Sequence, residues 1–187
     1  MTFIVKVPGI NGLGKTHGCE GAGNAILESI KNIYTNEVGK EINLERLDLE
    51  EIHLDNSNLE ITNKLIYENA LEIFEENPKV IFLGGDHSVS FGLSRAFLDF
   101  CKNSNKEPCL IVFDAHPDCM EPVDGNFPTH EEWLRGLVEK GFPAKNILLI
   151  GVRNSEKFEL ILSTAVVHIL SNLLIVSKIV IVICFNN

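Results

Sequence analysis

The fold prediction depends on two stretches of the sequence, residues 80–88 (VIFLGGDHS) and residues 110–118 (LIVFDAHPD). Each stretch opens with four apolar residues in a row and then changes to residue types found in turns and ligand sites. A short apolar run bounded by turn residues is typical of a strand that a parallel sheet buries on both faces. Residues 147–150 (ILLI) show the same run, so we expect strands at 80–83, 110–113 and 147–150.

Helical patterns separate these strands. The last of them opens with Thr129 and Glu132 in the T-x-x-E spacing of a capping box. The predicted helices cover residues 22–34, 59–77, 89–102 and 131–140, and further strands are expected at 2–7 and within 41–49. Strands that alternate with helices in this way predict an α/β fold with a parallel sheet.

The composition is that of a folded, acidic chain. Sixteen Lys and Arg residues against 26 Asp and Glu give the 187 residues a net charge of −10. Such a charge argues against binding nucleic acid or an anionic membrane through a basic surface. The length suits one domain with a substantial core. The five cysteines include no C-x-x-C pair, so we expect neither a disulfide framework nor a zinc knuckle, and a cytoplasmic location.

The residues that follow two of the strands are of the types that bind metal ions. His87 comes after the strand at 80–83, and Asp114, His116 and Asp118 come after the strand at 110–113. Because ligands bind beyond the carboxyl ends of the strands in an open parallel sheet, we expect these side chains to face one crevice. Carboxylate and imidazole together suit a divalent cation such as manganese, iron or zinc.

The motifs GGDHSVS at 84–90 and DAHPD at 114–118 resemble those of the ureohydrolase family, which includes arginase, agmatinase and formimidoylglutamase. HGCEGAG at 17–23 and IGVRN at 150–154 are similar to that family's glycine-rich loop and to a later strand end. The resemblance covers about residues 3–156. It implies a three-layer α/β/α fold around a parallel sheet. It also implies hydrolysis of a guanidino or formimino carbon–nitrogen bond with two Mn²⁺ ions and a bridging hydroxide.

The resemblance assigns roles to the metal-binding residues one by one. His87 and Asp118 would bind the first metal ion, and His116 would bind the second. Asp114 would bridge the two ions and so take part in catalysis.

Three neighbouring residues receive supporting roles from the same resemblance. Asp86 and Ser88 would orient His87. His130 stands where the family often has a histidine that transfers a proton, a task that suits an imidazole near pH 7. Here Glu131 follows, where arginases have glycine, and the alternative for His130 is an exposed place in the first turn of a helix.

One part of the family pattern is missing from this sequence. The family's S-x-D-x-D motif would supply two more aspartates, but no aspartate follows Asp124. Two divalent cations bring four positive charges, of which Asp114 and Asp118 balance two and a hydroxide one. Uncompensated charge in a partly desolvated crevice is costly. We therefore expect one ion or weak binding, and little or no turnover.

The composition changes after residue 157. Residues 158–187 are rich in Ile, Val and Leu and carry only two charged residues, Glu159 and Lys178. We therefore predict a ureohydrolase-like part over 1–157 that is incomplete at its C-terminus, and an aberrant hydrophobic tail over 158–187 whose apolar runs have no evident partner. Polar residues interrupt the tail, which argues against a membrane span of about 20 apolar residues.

Other functions remain open at this point. Residues 9–16 satisfy the G-x-x-x-x-G-K-T pattern of a phosphate-binding loop, which requires a helix that begins at its Gly-Lys-Thr. Glycines at 18, 21 and 23 disfavour such a helix. A second alternative is a non-catalytic remnant or interaction protein that keeps the fold. The expected partner is a small cationic guanidino or formimino substrate, with substrate-binding residues unknown. The family forms homo-oligomers, and the assembly of this chain is open.

Overall fold

A computed structural model describes residues 2–122, 127–157 and 159, together with the strands at 167–169 and 179–185. The elements along the chain are β1 (Thr2–Val7), α1 (Ala22–Ile30), β2 (Leu47–Glu51), α2 (Leu59–Glu76), β3 (Val80–Gly84), α3 (Val89–Asn103), β4 (Glu107–Phe113), α4 (Trp133–Glu139), β5 (Ile147–Ile150), β6 (Val167–Ile169) and β7 (Ile179–Phe185). The alternation of strands and helices confirms the predicted α/β class.

The strands form two sheets within the described residues. The first has the order β2-β1-β3, and all its pairings are parallel. The second has the order β6-β5-β4-β7, in which β7 runs antiparallel to β4. The predicted parallel arrangement is confirmed for every pairing except that of β7, a strand of the C-terminal segment that covers one edge of β4 and runs in the opposite direction.

The C-terminal segment has partners where the structure describes it. β7 pairs with β4 over seven residues, from Phe185 opposite Glu107 to Ile179 opposite Phe113. β6 extends the second sheet beside β5. The expectation that these apolar runs lack a partner was wrong for these two strands, and the rest of the predicted tail lies outside the described residues. The division into 1–157 and 158–187 stays a prediction.

Burial differs between the three strands that the sequence placed at the sheet centre. Leu110 and Val112 of β4 and Ile147 and Leu149 of β5 are buried, as the prediction required. In β3, by contrast, Ile81 is 48% exposed. β1 covers one edge of β3, and no strand among the described residues covers the other. An apolar run indicates a strand but not whether both of its edges and faces are covered.

Helices lie on both faces of the first sheet. Val5 and Val7 of β1 pack against Ile66 and Ile73 of α2 on one face. On the other face, Lys6 donates a hydrogen bond of 2.8 Å to Asn24 of α1. This gives the three-layer α/β/α arrangement. α3 joins the two sheets, because its residues belong to the cores on β1 and on β4.

The start of α4 differs from the predicted capping box. The helix begins at Trp133 and not at residue 131. The Thr129 hydroxyl donates to the Glu132 carboxylate instead of capping the helix. The amides of Leu134 and Arg135 instead donate to the carbonyl of Asp118, at 3.3 and 3.5 Å. The backbone carbonyl of Asp118 therefore satisfies free amides of the first turn, a contact that the capping-box spacing does not predict.

None of the helices in the described residues is long and apolar enough to cross a membrane.

Candidate metal centre

Two turns at the carboxyl ends of β3 and β4 carry the candidate site. Residues 85–88 connect β3 directly to α3, and Gly85 lies so close to Gly9 that an added Cβ would meet the Gly9 carbonyl oxygen at 2.2 Å. At the end of β4, the amide of Asp114 donates to the carbonyl of Ile150 at 3.0 Å. Both turns are therefore fixed to neighbouring backbone.

Three of the four predicted metal ligands converge. Single ligand atoms of His87, Asp114 and Asp118 all lie within 4.8 Å of one another. Nδ1 of His87 is 2.6 Å from Oδ2 of Asp118 and 3.2 Å from Oδ2 of Asp114. All three side chains are buried. We call these three residues the His87 cluster.

Asp118 occupies a conformation that few residues adopt. Its φ of +49° lies in the left-handed region, which aspartate tolerates better than most residues because its short side chain bonds locally. The α4 amides that hold its carbonyl fix the residue from one side. The loop and the first turn of α4 therefore position the carboxylate jointly.

His116, the fourth predicted ligand, lies beside the cluster and not in it. Its Nδ1 is 3.5 Å from Oδ1 of Asp114, and its Nε2 is 3.0 Å from Nδ2 of Asn154. The side chain is 44% exposed. Asp114 consequently faces His87 with one carboxylate oxygen and His116 with the other.

His130 borders the same cavity as His87. This cavity has a volume of about 870 Å³ and runs along β3 and α3. Nε2 of His130 lies 3.6 Å from Glu131, and its Nδ1 is buried without a hydrogen-bond partner among the described residues. The imidazole of His130 is mostly buried, so this residue does not have the exposed place in a first helical turn that was its alternative.

Asp86 and Ser88 hold the backbone around His87. The Asp86 carboxylate accepts hydrogen bonds from the amide of Asn11 at 2.8 Å and from the Thr16 hydroxyl at 2.7 Å. It also accepts from the amide and the hydroxyl of Ser88. These contacts join the loop at 11–16 to the turn that carries His87.

The loop at 9–16 does not have the form of a phosphate-binding loop. Residues 13–18 form turns, and α1 begins only at Ala22. The Lys15 ammonium lies 3.9 Å from Glu131, and the Thr16 hydroxyl is used by Asp86. Because no helix begins at the Gly-Lys-Thr, its free amides cannot hold a phosphate as that pattern requires.

Two residues that sequence analysis passed over belong to the site. The indole Nε1 of Trp133 lies 2.7 Å from Oδ2 of Asp118 and 3.2 Å from Nδ1 of His87. The buried carboxylate of Glu159 accepts from the amide of Cys119, at 3.2 Å. The available signals were the lone tryptophan three residues after His130, and a glutamate within an apolar segment.

The thiol of Cys119 should be inert at ordinary pH. Burial, followed by the nearby charges of Glu159 and Asp118, raises its pKa to about 12. At pH 9 only about one thiol in a thousand is then the reactive thiolate. We expect iodoacetamide to label the exposed Cys19 at pH 8–9 and to spare Cys119 until urea is added, as measured by peptide mass spectrometry. Equal labelling of both cysteines in the native protein would contradict this.

One divalent cation fits the His87 cluster. Two ionised carboxylates and a neutral imidazole supply a charge of −2, which a divalent cation balances in full. Neutrality matters because these donors are buried, where uncompensated charge is costly. The same donor set suits manganese, iron or zinc. A second cation would find only His116 and the outer oxygen of Asp114 among the described residues.

Comparison with known proteins gives consistent matches. A model of the arginase family matches residues 2–172. Arginase 2, chloroplastic/mitochondrial, of Arabidopsis thaliana is 28% identical over 134 residues, which are 66% of this chain and 37% of that protein. Formimidoylglutamase from Bacillus subtilis superposes with a TM-score of 0.75 at 20% identity, over 91% of this chain and 55% of that one.

A third relative was solved with metal. Formiminoglutamase of Trypanosoma cruzi with Mn²⁺ superposes with a TM-score of 0.72 at 16% identity, over 90% of this chain and 59% of that one. The chain therefore spans little more than half the length of these solved relatives.

Proposed function

The chain belongs to the arginase family, and we propose that it is the metal-binding part of a hydrolase that cleaves a carbon–nitrogen bond in a small guanidino or amidino compound. The observation that carries this proposal is the convergence of His87, Asp114 and Asp118 within 4.8 Å at the ends of two strands. The manganese in a solved relative makes Mn²⁺ the cation of choice.

Each residue of the His87 cluster would contribute one ligand atom. His87 Nδ1 and one carboxylate oxygen each from Asp114 and Asp118 would hold the cation. A divalent cation held there would supply Lewis-acid chemistry, acidifying a water molecule and polarising the carbon–nitrogen group under attack. Asp114 faces both His87 and His116, so this carboxylate would connect the cation to the outer histidine.

We propose that this chain holds one cation and turns over slowly. The charge of the His87 cluster is balanced by one divalent ion, and His116 is held between Asp114 and Asn154. A dinuclear site would need further carboxylates. Two Mn²⁺ ions, as the family resemblance implies, are therefore not our proposal for this chain.

His130 is the residue we propose for proton transfer. Its Nδ1 is buried beside the cavity that also reaches His87. An imidazole in that place could pass a proton between the site and a departing amine near neutral pH. The cationic substrate, the cytoplasmic location and the oligomeric state stay predictions.

An assay with three substrates tests the proposal. We would incubate the Mn²⁺-loaded protein with arginine, agmatine or formiminoglutamate and measure urea, ammonia or formamide. We expect slow, Mn²⁺-dependent release from one of them that disappears in Asp114→Ala and persists in Asp48→Ala, the same change at an exposed aspartate. Release that survives Asp114→Ala would contradict the proposal. No release from any of the three by Mn²⁺-loaded protein would favour the non-catalytic alternative.

A further inference from the structure

We propose that Trp133 is a positioning residue of the metal centre, whose indole N–H holds the carboxylate of Asp118 in place for the cation. The proposal rests on the proposed metal site. Nothing in the sequence motifs assigns this residue a role, and it is the only tryptophan in the chain.

The contacts of the indole point to this role. Nε1 lies 2.7 Å from Oδ2 of Asp118, which is the short distance of a hydrogen bond to a charged acceptor. The same nitrogen is 3.2 Å from Nδ1 of His87, and the two ring centroids are 4.8 Å apart. The indole therefore touches two of the three members of the His87 cluster.

Burial makes this hydrogen bond important. Trp133 is fully buried, and a buried indole N–H without an acceptor is unfavourable. Asp118 is the acceptor at the shorter distance. A carboxylate oxygen accepts in more than one direction, so Oδ2 can receive the indole and still face a cation beside His87.

Backbone hydrogen bonds connect α4 to Asp118 as well. Trp133 is the first residue of α4, and the next two amides of that helix donate to the Asp118 carbonyl. The start of α4 and the loop that follows β4 therefore hold each other through the Trp133 side chain and through the main chain. Asp118 needs this support because its φ of +49° is sparsely populated.

Phenylalanine at this position removes the N–H and keeps most of the ring. Loss of a hydrogen-bonding partner behind a metal ligand typically weakens metal affinity by about 10- to 100-fold. We expect Trp133→Phe to raise the Kd for Mn²⁺ by that factor, measured by electron paramagnetic resonance of the free ion. The matched control is Leu137→Val, a mild change at a buried residue of the same helix. Its Kd should stay within twofold of the wild-type value.

The single indole supplies a second measurement that needs no variant. Mn²⁺ bound at the His87 cluster would lie beside the ring and should quench its fluorescence, with the Kd that resonance gives. A merely structural tryptophan far from the ion would not respond in this way. This titration tests the proposal even if Trp133→Phe fails to fold.

The outcomes separate the two proposals. If the wild type binds Mn²⁺ and Trp133→Phe binds it within twofold, the role of Trp133 is overturned and the metal site stands. Resonance that shows bound Mn²⁺ while the fluorescence stays constant overturns the role of Trp133 as well. If the wild type binds no Mn²⁺, both the proposed metal site and the proposed role of Trp133 are overturned.

Discussion

Asp114→Asn is expected to weaken Mn²⁺ binding by more than about 100-fold, because loss of a supporting residue alone costs up to about that factor and Asp114 is a proposed ligand. The carboxylate is buried, with one oxygen 3.2 Å from Nδ1 of His87. The side-chain oxygen of asparagine can still accept the hydrogen bond of 3.0 Å that the backbone N–H of His116 donates to Asp114. It removes one of the two negative charges that balance the cation. Isothermal titration calorimetry with MnCl₂ measures the change.

The control for this change is Asp48→Asn, which removes the same charge at an exposed position of β2. We expect its affinity to match that of the wild type, since an exposed charge far from the site is screened by salt. An Asp114→Asn protein that is folded and binds Mn²⁺ within tenfold of the wild type would contradict the assignment of Asp114 as a ligand.

Asp86→Ala is expected to lower the free energy of unfolding by about 3 kcal/mol, since hydrogen bonds to a charged group contribute about 1.5–3 kcal/mol each and are partly replaced by water. The buried carboxylate accepts from Asn11, Thr16 and both groups of Ser88. Without it, the loop at 11–16 loses its connection to the turn that carries His87. Urea unfolding followed by circular dichroism measures the loss.

A matched carboxylate at the surface serves as the control for Asp86. Asp99→Ala removes a hydrogen bond of 2.8 Å from the Tyr67 hydroxyl in a partly exposed place, and we expect a loss of at most about 1 kcal/mol. An Asp86→Ala protein no less stable than Asp99→Ala would contradict the account. If Asp86 also orients His87, as the resemblance implies, Mn²⁺ binding will weaken in the folded variant as well.

Local sequence patterns were sufficient to locate most elements. β1 and β5 have the predicted bounds, and the helix predicted at 89–102 is observed over Val89–Asn103. These patterns could not show that, among the described residues, β3 has one strand neighbour and β4 has two, because the pairing of a strand depends on distant segments. The direction of β7 was unpredictable for the same reason, since an apolar run reads the same in a parallel and an antiparallel pair.

The candidate site was predictable where its residues follow strands directly. His87, Asp114 and Asp118 meet beyond the carboxyl ends of β3 and β4, although these two strands belong to different sheets in the described part of the chain. His116 lies beside these three residues, with its Nε2 3.0 Å from Nδ2 of Asn154, which follows β5. Trp133 reaches the cluster because α4 begins beside the loop that carries Asp118, and the sequence spacing placed that start two residues too early.

Equilibrium dialysis followed by elemental analysis counts the Mn²⁺ ions that each chain retains and so tests whether the His87 cluster holds one divalent cation. We predict one ion per chain in the wild type and none retained by Asp114→Asn under the same conditions. Two tightly held ions per wild-type chain, or none, would show that the His87 cluster is not a site for one cation.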